Sequence, residues 1–344
     1  MFKLAIHERK NSFSDRWISY CNENNIQYKK VNCLNSDIIS QLKESHALLW
    51  HWAHFEPTAQ LVAKQIIKAI ETTGFSTFPD YNTCWHYDDK IAQKYLLESI
   101  NAPIVPSYVF FDKEEALSFF CDAAYPLVFK LRCGAGSKNV QLLKSKNQAI
   151  RICQKAFTKG FVASKGYFND AKTKIRKLNN FKELQAKIKR FPSAIKNILI
   201  SKKFLPTQKG YIYLQDFCSD NEYDTRITVI GDRAFGFRRK VRPGDFRASG
   251  SGHIEYDPEK IDLRCVEIAF QVSRQLKTQS LAFDFIYNDK IPLICEISYC
   301  YQSKAVYDCA GHWNNQLKWI KGHMWPEDAI IIDLINDMQC HLND

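Results

Sequence analysis

Apolar and polar positions follow two different periods in the first part of the chain. Apolar runs that alternate with polar positions predict strands, whereas apolar residues three or four positions apart predict helices. The predicted strands are residues 2–7, 26–33 and 47–52, and the predicted helices are 13–25, 37–44 and 57–73. Strands that alternate with helices are typical of a small parallel sheet with flanking helices. Residues 74–82 contain Gly, Pro and Asn and predict a break.

A second pattern begins after this break. Asp88 or Asp89 is a suitable N-cap for a helix that starts at Lys90 and ends at residues 101–103. The later predictions are a strand at 107–111, a capped helix at 112–124, an apolar strand at 125–132, a strand-rich region from 211 and a final helix at 326–341. We therefore expect an α/β fold with three domains: a parallel-sheet domain at 1–86 and two mixed α+β lobes at 87–210 and 211–344.

Length and charge limit the classes of protein to which the chain can belong. A chain of 344 residues suits two or three packed lobes with a sizeable apolar core. Its net charge of +11 is concentrated partly in the lysine-rich segment 151–210, which favours a polyanionic partner. A solvated basic helix face explains that segment at least as well. Because no basic-aromatic recognition motif accompanies it, nucleic-acid binding is the least favoured interpretation.

Cysteine usage and hydropathy predict a cytoplasmic protein without a membrane span. The twelve cysteines include no CxxC pair and the N-terminus has no signal-peptide pattern, so we expect reduced thiols. The cysteines and histidines between Cys300 and His341 match none of the usual zinc-ligand spacings. No apolar run reaches the roughly 20 residues that are needed to cross a bilayer.

The segment 281–298 combines two apolar strands with one acidic residue in each. A three-residue turn that pairs Tyr287 with Ile291 would make Asp284 and Glu296 diagonal neighbours on one face, roughly 7–8 Å apart at the backbone. Magnesium prefers carboxylate oxygens and completes its shell with water or substrate phosphates. The two acids therefore predict a Mg²⁺ site. The alternative is an amphipathic strand with one acid facing solvent.

A second candidate feature is a lysine in an apolar strand that precedes a glycine-rich turn. Lys130 stands near the end of that strand, where a lysine is costly unless it meets an anion. Gly134 and Gly136 allow backbone N–H groups to approach phosphate oxygens, and Ser137 and Lys138 add donors. A GxG pair alone is more often a tight turn, and the chain has no GxxxxGK[ST] motif. With the lysine, phosphate binding is the favoured interpretation.

Polar segments further along the chain carry more candidate residues. As an exposed strand, residues 211–217 would offer backbone groups to the edge of an adenine, and a nearby acid would accept from ribose hydroxyls. Residues 237–242 and 245–252 supply arginines, whose forks match phosphate or carboxylate. An ordinary hairpin with an acidic loop and a basic surface loop are the alternatives for these segments.

Taken in order, these motifs resemble those of the ATP-grasp superfamily. The resemblance covers residues 85–300. The ordered series of motifs is more specific evidence for it than any single motif. The motifs are Asp89-Lys90, Val128-Phe129-Lys130, Leu214-Gln215-Asp216-Phe217, Asp224-Thr225-Arg226, Arg239 with Phe246-Arg247, Phe283-Asp284-Phe285 and Cys295-Glu296-Ile297-Ser298. The chain is most similar to the amino-acid and peptide ligase branch, which includes the ribosomal-protein glutamate ligase and D-alanine:D-alanine ligase. The implied fold is an N-terminal parallel-sheet domain and two α+β lobes that clasp a nucleotide.

The resemblance implies a nucleotide role for residues in four of the motifs. Those expected to bind the ATP phosphates are Lys90, Lys130 and a flexible lid at 134–138 that contains Gly134, Gly136 and Ser137. Those expected to hold adenine are Gln215, Asp216 and Phe217, through the backbone of 214–217. Asp224 matches the acid that binds the ribose.

The resemblance also implies metal ligands and catalytic arginines. Asp284 and Glu296 match ligands of Mg²⁺ or Mn²⁺, and Ser298 stands where relatives usually have Asn. A hydroxyl is a shorter and weaker ligand than an amide, so a second ion would be held loosely or completed by water. The candidate catalytic residues, which fall where relatives contact phosphates or an acyl phosphate, are Arg226, Arg239 and Arg247.

The implied function is ATP-dependent ligation of a carboxylate to an amine, through an acyl phosphate. A narrower resemblance, to poorly characterised ATP-grasp proteins of surface-polysaccharide clusters, rests on Trp85–Lys90, Glu296–Tyr299 and the tail at 309–325. It implies polysaccharide biosynthesis, in which an amino acid is joined to an acidic sugar or a cell-envelope precursor. A homodimer is the implied assembly. The alternative is a nucleotide-binding regulatory protein that has lost catalysis.

Overall fold

The computed structural model describes residues 2–134, 140–161, 207–242 and 252–343. The chain forms two compact units: Met1–Val105 combines with Cys218–Asp344, and Pro106–Phe217 stands by itself. The predicted domain boundaries at residues 86 and 210 stay predictions. No helix in the described part of the chain is both long and apolar enough to cross a bilayer.

The N-terminal part of the first unit contains a parallel sheet, as the alternating pattern predicts. Its strands are β1 (Lys3–His7), β2 (Gln27–Val31), β3 (Ala47–Leu49) and β4 (Ser76–Phe78), in the order β2-β1-β3-β4. The helices of this part are α1 (Phe13–Glu23), α2 (Ile38–Gln41), α3 (Pro57–Glu71), α4 (Tyr81–Cys84) and α5 (Lys90–Ser99). The predicted break at 74–82 is wrong where residues 76–78 form β4. A three-residue strand between Gly74 and Pro79 is too short to show a period.

The second unit contains a sheet whose neighbouring strands are antiparallel. Its elements are β5 (Ser107–Phe110), α6 (Lys113–Asp122), β6 (Leu127–Lys130), β7 (Val140–Leu143), α7 (Lys146–Phe157) and β8 (Ile212–Asp216). The strand order is β5-β8-β6-β7. Phe129 and Leu214 pack with Phe120 of α6 and Cys153 of α7 on one face. Residues of alternate parity, such as Lys130, therefore lie on the opposite face.

A larger sheet completes the first unit. Its strands are β9 (Tyr223–Ile230), β10 (Arg233–Lys240), β11 (Ile254–Glu255), β12 (Ser280–Asn288), β13 (Ile291–Ser298), β14 (Gly311–Asn314) and β15 (Trp319–Lys321). They follow the order β13-β12-β9-β10-β14-β15, with β11 beside β10. The remaining helices are α8 (Leu263–Leu276), α9 (Ser303–Tyr307) and α10 (Pro326–Asn343), and residues 258–260 form a 3₁₀ turn.

The two faces of the larger sheet have different neighbours. Val229 and Phe283 belong to a core with Phe270 of α8. On the other face, Phe235 belongs to a core that includes Trp17 of α1. That second core joins the sheet to the N-terminal parallel sheet. The apolar packing of this face ends towards Arg226 and Asp284, where charged side chains replace it.

Candidate functional site

The hairpin that carries the two acids has a tighter turn than the sequence predicts. Asn288 pairs with Ile291, so the turn consists of Asp289 and Lys290. Both residues have left-handed backbones, with φ of 47° and 65°. Two consecutive positive φ angles are typical of the type I′ turns that join twisted antiparallel strands. The predicted three-residue turn is therefore wrong.

A bulge then restores the acids to one face. Phe285 pairs with Ile294, but Asp284 pairs with Glu296, so Cys295 is the extra residue of β13. The prediction that both carboxylates share a face is confirmed by this register, because directly opposite residues of antiparallel strands point the same way. The predicted diagonal arrangement is wrong. The two acids are direct neighbours, which places their backbones closer than a diagonal pair.

Asp284 of β12 is held by two arginines, one from the adjacent strand β9 and one from β10 beyond it. Arg226 lies opposite it on β9, and its Nε and Nη2 donate to the two carboxylate oxygens at 2.6 and 2.7 Å. Arg239 of β10 approaches Asp284 Oδ2 with Nη2 at 2.9 Å. Arg239 also donates through Nε to Asp224 Oδ1 at 2.7 Å. The four side chains form a row of alternating charge, Asp224–Arg239–Asp284–Arg226, which we call the charged row.

The charged row keeps Asp284 ionised. Burial opposes its ionisation, but the positive charges of Arg226 and Arg239 outweigh burial and hold its pKa well below the usual range. Burial would likewise lower the pKa of Arg239, yet Asp284 and Asp224 raise it. For Asp224 at the other end of the row, burial raises the pKa although the contact with Arg239 opposes that rise.

Lys90 supplies a third cation at this end of the sheet. It is the first residue of α5, whose N-cap Asp89 accepts a hydrogen bond from the backbone of Ala92 at 3.0 Å. Its Nζ lies 3.1 Å from Glu296 Oε1. The lysine is buried, whereas 35% of the Glu296 side chain is exposed. Lys90 and Glu296, both predicted as site residues, therefore lie in contact.

Ser298 lies on the same strand face, two residues beyond Glu296. Its hydroxyl donates to the carbonyl oxygen of Cys300 at 2.9 Å and accepts from the Cys300 amide at 3.2 Å. The hydroxyl is thus engaged in a local turn. Its role as a metal ligand stays a prediction.

The acidic pair fits a hard divalent cation by the chemistry of its donors. Asp284 and Glu296 are cross-strand partners, and Oδ1 of Asp284, which accepts one hydrogen bond from Arg226, keeps a second lone pair. Within the described residues, no group of three or more His, Cys, Asp or Glu side chains is placed to hold a metal. An ion at this pair would therefore need ligands from water or phosphate, which is the usual habit of Mg²⁺.

The second unit holds the other predicted lysine in a buried polar cluster. Lys130 Nζ donates to Gln215 Oε1 at 2.5 Å, and Gln215 Nε2 lies 3.1 Å from the hydroxyl of Ser107. Tyr213 donates its hydroxyl to the same serine at 3.1 Å. These side chains share the sheet face opposite α6 and α7. A buried lysine on this face is compatible with the predicted phosphate contact.

The expectation of an exposed strand at 211–217 is wrong for most of its length. β8 lies between β5 and β6, where Gln215 pairs with Ser107 on one side and Val128 on the other. Asp216 donates its backbone N–H to the carbonyl of Pro106 at 2.9 Å. Phe217 is the first predicted adenine residue beyond the strand. The adenine-binding role of residues 215–217 stays a prediction.

Several predicted site residues stand at or beyond the limits of the described chain. Gly134 ends the segment after β6 with φ of 117°, a conformation that favours glycine. Gly136, Ser137 and Arg247 lie outside the described residues. Their predicted roles are untested.

One residue at this site was not predicted from the sequence. Gln93 of α5 donates through Nε2 to the carbonyl of Ile297 at 2.9 Å, next to Glu296. A glutamine in a helix gives no signal of its own. The clue in the sequence is its position three residues after Lys90, which places both side chains on one helix face.

Comparison with protein families and solved structures agrees with this architecture. A model of the RimK-like ATP-grasp domain matches residues 181–311, and a model of the carbamoyl-phosphate synthase L chain ATP-binding domain matches residues 89–190. Comparison with curated protein sequences finds no match.

Solved structures similar to this chain over nearly its whole length share little sequence with it. D-alanine–D-alanine ligase from Bacillus anthracis has a TM-score of 0.60 at 12% identity, covering 99% of this chain and 100% of that one. A RimK domain ATP-grasp protein from Sphaerobacter thermophilus has a TM-score of 0.57 at 12% identity, covering 97% and 99%. N5-carboxyaminoimidazole ribonucleotide synthetase from Thermotoga maritima has a TM-score of 0.60 at 14% identity, covering 98% and 76%.

The chain therefore has the ATP-grasp fold. The predicted resemblance to the ATP-grasp superfamily and the predicted fold class are confirmed.

Proposed function

We propose that this protein is an ATP- and Mg²⁺-dependent ligase that joins a carboxylate to an amine. The observation that carries the proposal is the placement of Asp284 directly opposite Glu296, with cationic side chains in contact with both. The fold supports it, since the D-alanine–D-alanine ligase from Bacillus anthracis has also been solved in complex with ATP, with a TM-score of 0.56 at 11% identity.

The proposed reaction has two steps. An oxygen of the substrate carboxylate attacks the γ-phosphorus of ATP, and the bond to the β-phosphate oxygen breaks to release ADP. The amine nitrogen then attacks the carbonyl carbon of the acyl phosphate, phosphate leaves, and the nitrogen loses a proton to solvent. The products are ADP, phosphate and an amide.

The residues of the site are suited to binding and orienting charged groups. When bound, Mg²⁺ or Mn²⁺ would be held by Asp284 and Glu296 and would offset phosphate charge. Lys90 and Lys130 would bind phosphates, and Asp224 would bind the ribose. The arginines Arg226, Arg239 and Arg247 would stabilise the charge of the transferring group. None of these residues needs to act as a covalent nucleophile.

The proposed substrates follow from the narrower resemblance to proteins of polysaccharide clusters. They are an amino acid and an acidic sugar or cell-envelope precursor. We also propose a cytoplasmic location and a homodimer. Acyl phosphates hydrolyse readily, so the proposed role of residues 134–138, of which 135–138 lie outside the described residues, is to exclude water from the intermediate.

The second candidate is a nucleotide-binding regulatory protein without catalysis. The observation that favours it is Ser298, whose hydroxyl is engaged with Cys300 in place of the amide that relatives carry. Loss of one metal ligand would weaken a second ion and slow phosphoryl transfer while leaving nucleotide binding intact.

The first prediction separates these two candidates by ADP release. Purified protein with Mg²⁺ and ATP should release ADP and phosphate in equal amounts when mixtures of amino acids and uronates are added. Glu296→Gln should abolish turnover because it removes one of the two carboxylates. The control is Glu255→Gln, since Glu255 pairs with Arg238 and Lys260 and belongs to no proposed binding group.

Three outcomes are distinguishable in this assay. Substrate-dependent ADP release that Glu296→Gln abolishes and Glu255→Gln retains supports the ligase. Measurable ATP binding without turnover in any mixture favours the regulatory protein. Absence of nucleotide binding contradicts both.

A further inference from the structure

The Gln93 carboxamide is fully engaged with the backbone of its surroundings. Its Nε2 donates to the carbonyl oxygen of Ile297 at 2.9 Å and to that of His86 at 3.2 Å. Its Oε1 accepts the N–H of Ile297 at 3.3 Å. Gln93 is 4% exposed, so water does not compete for these bonds. A side chain thus makes the two hydrogen bonds that a neighbouring strand would make.

This pair of hydrogen bonds covers part of the outer edge of the larger sheet. β13 is the outermost strand, and Ile297 pairs with Phe283 on its inner side. Further along the outer side, the backbone of Ile294 bonds to Pro103 at 2.8 Å and to Val105 at 3.1 Å. Between Ile294 and Ile297 lies the bulge. Residues 103–105 therefore bond to β13 before the bulge, and Gln93 bonds to it after the bulge.

The position of Gln93 couples it to the acidic pair. Ile297 separates Glu296 from Ser298, so the clamp fixes the backbone between two predicted metal ligands. Lys90 lies one turn earlier on the same face of α5 and contacts Glu296 at 3.1 Å. Helix α5 thus holds β13 at two adjacent residues, through an ion pair at Glu296 and an amide clamp at Ile297.

We propose that Gln93 is a positioning residue for the metal–nucleotide site. It acts through the backbone of Ile297, which it holds so that Glu296 faces the position beside Asp284. A bulge loosens the ladder next to Glu296, and without the clamp the outer side of this part of the strand is held by the Lys90–Glu296 ion pair and by no backbone hydrogen bond to Gln93. The inference rests on the proposed function, because it assumes that Glu296 binds a metal together with ATP.

The same hairpin offers a matched control for this clamp. Asn221 donates through Nδ2 to the carbonyl of Tyr287 at 2.8 Å and accepts the Tyr287 N–H at 2.7 Å. Its carboxamide therefore makes the same pair of bonds as Gln93, but to β12 and next to the turn. Gln93→Met and Asn221→Leu each replace a carboxamide by an apolar group of similar size, so both remove one clamp from the hairpin.

The experiment measures Mn²⁺ binding by electron paramagnetic resonance in the presence of a non-hydrolysable ATP analogue. Gln93→Met should weaken Mn²⁺ binding about tenfold, the effect of losing one or two buried hydrogen bonds. Asn221→Leu should leave it within about twofold of the wild type. Affinity for the analogue without Mn²⁺ should change little in either variant. Gln93→Asn, one methylene shorter, should weaken Mn²⁺ binding as well if the methionine variant does not fold.

Equal losses in the Gln93 and Asn221 variants, or unchanged Mn²⁺ binding in folded Gln93 variants, would overturn the positioning role. A wild-type protein that binds no Mn²⁺ with the analogue would overturn the proposed function, and with it this inference. The two failures differ because the first appears only in the variants and the second in the wild type.

Discussion

Charged side chains of the candidate site balance one another residue by residue. Three acids, Asp224, Asp284 and Glu296, stand against three cations, Lys90, Arg226 and Arg239. Because the formal charges of these six side chains cancel, a divalent cation would leave an excess of positive charge unless an anion bound with it. Because burying a net charge is costly, we expect the metal to bind together with phosphate groups.

Arg226 provides a residue-scale test of this balance. Arg226→Gln removes both fork bonds from Asp284, so that among the described residues Arg239 alone is left to offset the charge of a largely buried carboxylate. We expect the free energy of unfolding to fall by about 3 kcal/mol, the usual cost of breaking a buried pair. Urea denaturation of the purified variant and the wild type measures the difference.

Arg238→Gln is the matched control for this measurement. Arg238 pairs with Glu255 and has side-chain exposure of 16%, close to the 18% of Arg226. Its pair is not part of the charged row, and Glu255 keeps Lys260 as a second partner. We expect a loss of about 1 kcal/mol. Equal losses of unfolding free energy in the two variants would show that the charged row stabilises the fold no more than the Arg238–Glu255 pair does.

At the residue scale, the sequence selected the acids and arginines as candidates but did not predict which of them contact one another. The order of motifs selected Arg226 and Asp284 separately, as a phosphate contact and a metal ligand. Their pairing depends on β9 and β12 lying side by side, which is a long-range contact. Gln93 was missed for the same reason, since its target, Ile297, lies far away in the sequence.

At the scale of elements, the strongest periodic patterns gave the correct types. Helix α1 shows why, because Phe13, Trp17 and Cys21 recur every four residues and are all buried. Its N-cap Ser12 accepts from the backbone of Ser14 at 3.3 Å. Among short elements, α2 and β3 were predicted, but other features of the fold were not recognised. The bulge at Cys295 and the strand β4 have no periodic signal, and α8 lies within the region that was predicted only as strand-rich.

Helix α10 contains a buried acid whose protonation should affect stability. Glu327 lies in its first turn, and burial raises its pKa to about 7 although a hydrogen bond from Ser303 lowers it. Its Oε2 has no hydrogen-bond partner among the described residues. The unfolded chain releases this proton near pH 4.5, the ordinary value for Glu. The folded state thus binds the proton more tightly, and stability falls as pH rises from 4.5 to 7.

Glu327→Gln should remove this pH dependence. Relative to wild type, the variant should gain free energy of unfolding between pH 4.5 and pH 7, by up to about 3 kcal/mol. Urea denaturation of both proteins at pH 5 and pH 8 isolates the effect, because the other titrating groups are common to both. A stability difference that is the same at the two pH values would mean that Glu327 titrates normally.

At the scale of the whole molecule, the sequence identified the fold through the order of its motifs. The parallel sheet follows from the alternation of strands and helices in the first 73 residues, and the ATP-grasp class follows from motifs spread between residues 89 and 298. Neither pattern predicts how the larger sheet shares a core with the N-terminal part, which depends on packing between distant residues such as Trp17 and Phe235.

We propose that Asp284 and Glu296 jointly bind a divalent cation that accompanies ATP. Crystals grown with Mn²⁺ and a non-hydrolysable ATP analogue test it most directly, because Mn²⁺ can be located by its anomalous scattering. We expect a peak bonded to both carboxylates and to phosphate oxygens of the analogue. A bound analogue whose Mn²⁺ lies away from this pair, or an acidic pair without a metal beside a bound nucleotide, would contradict it.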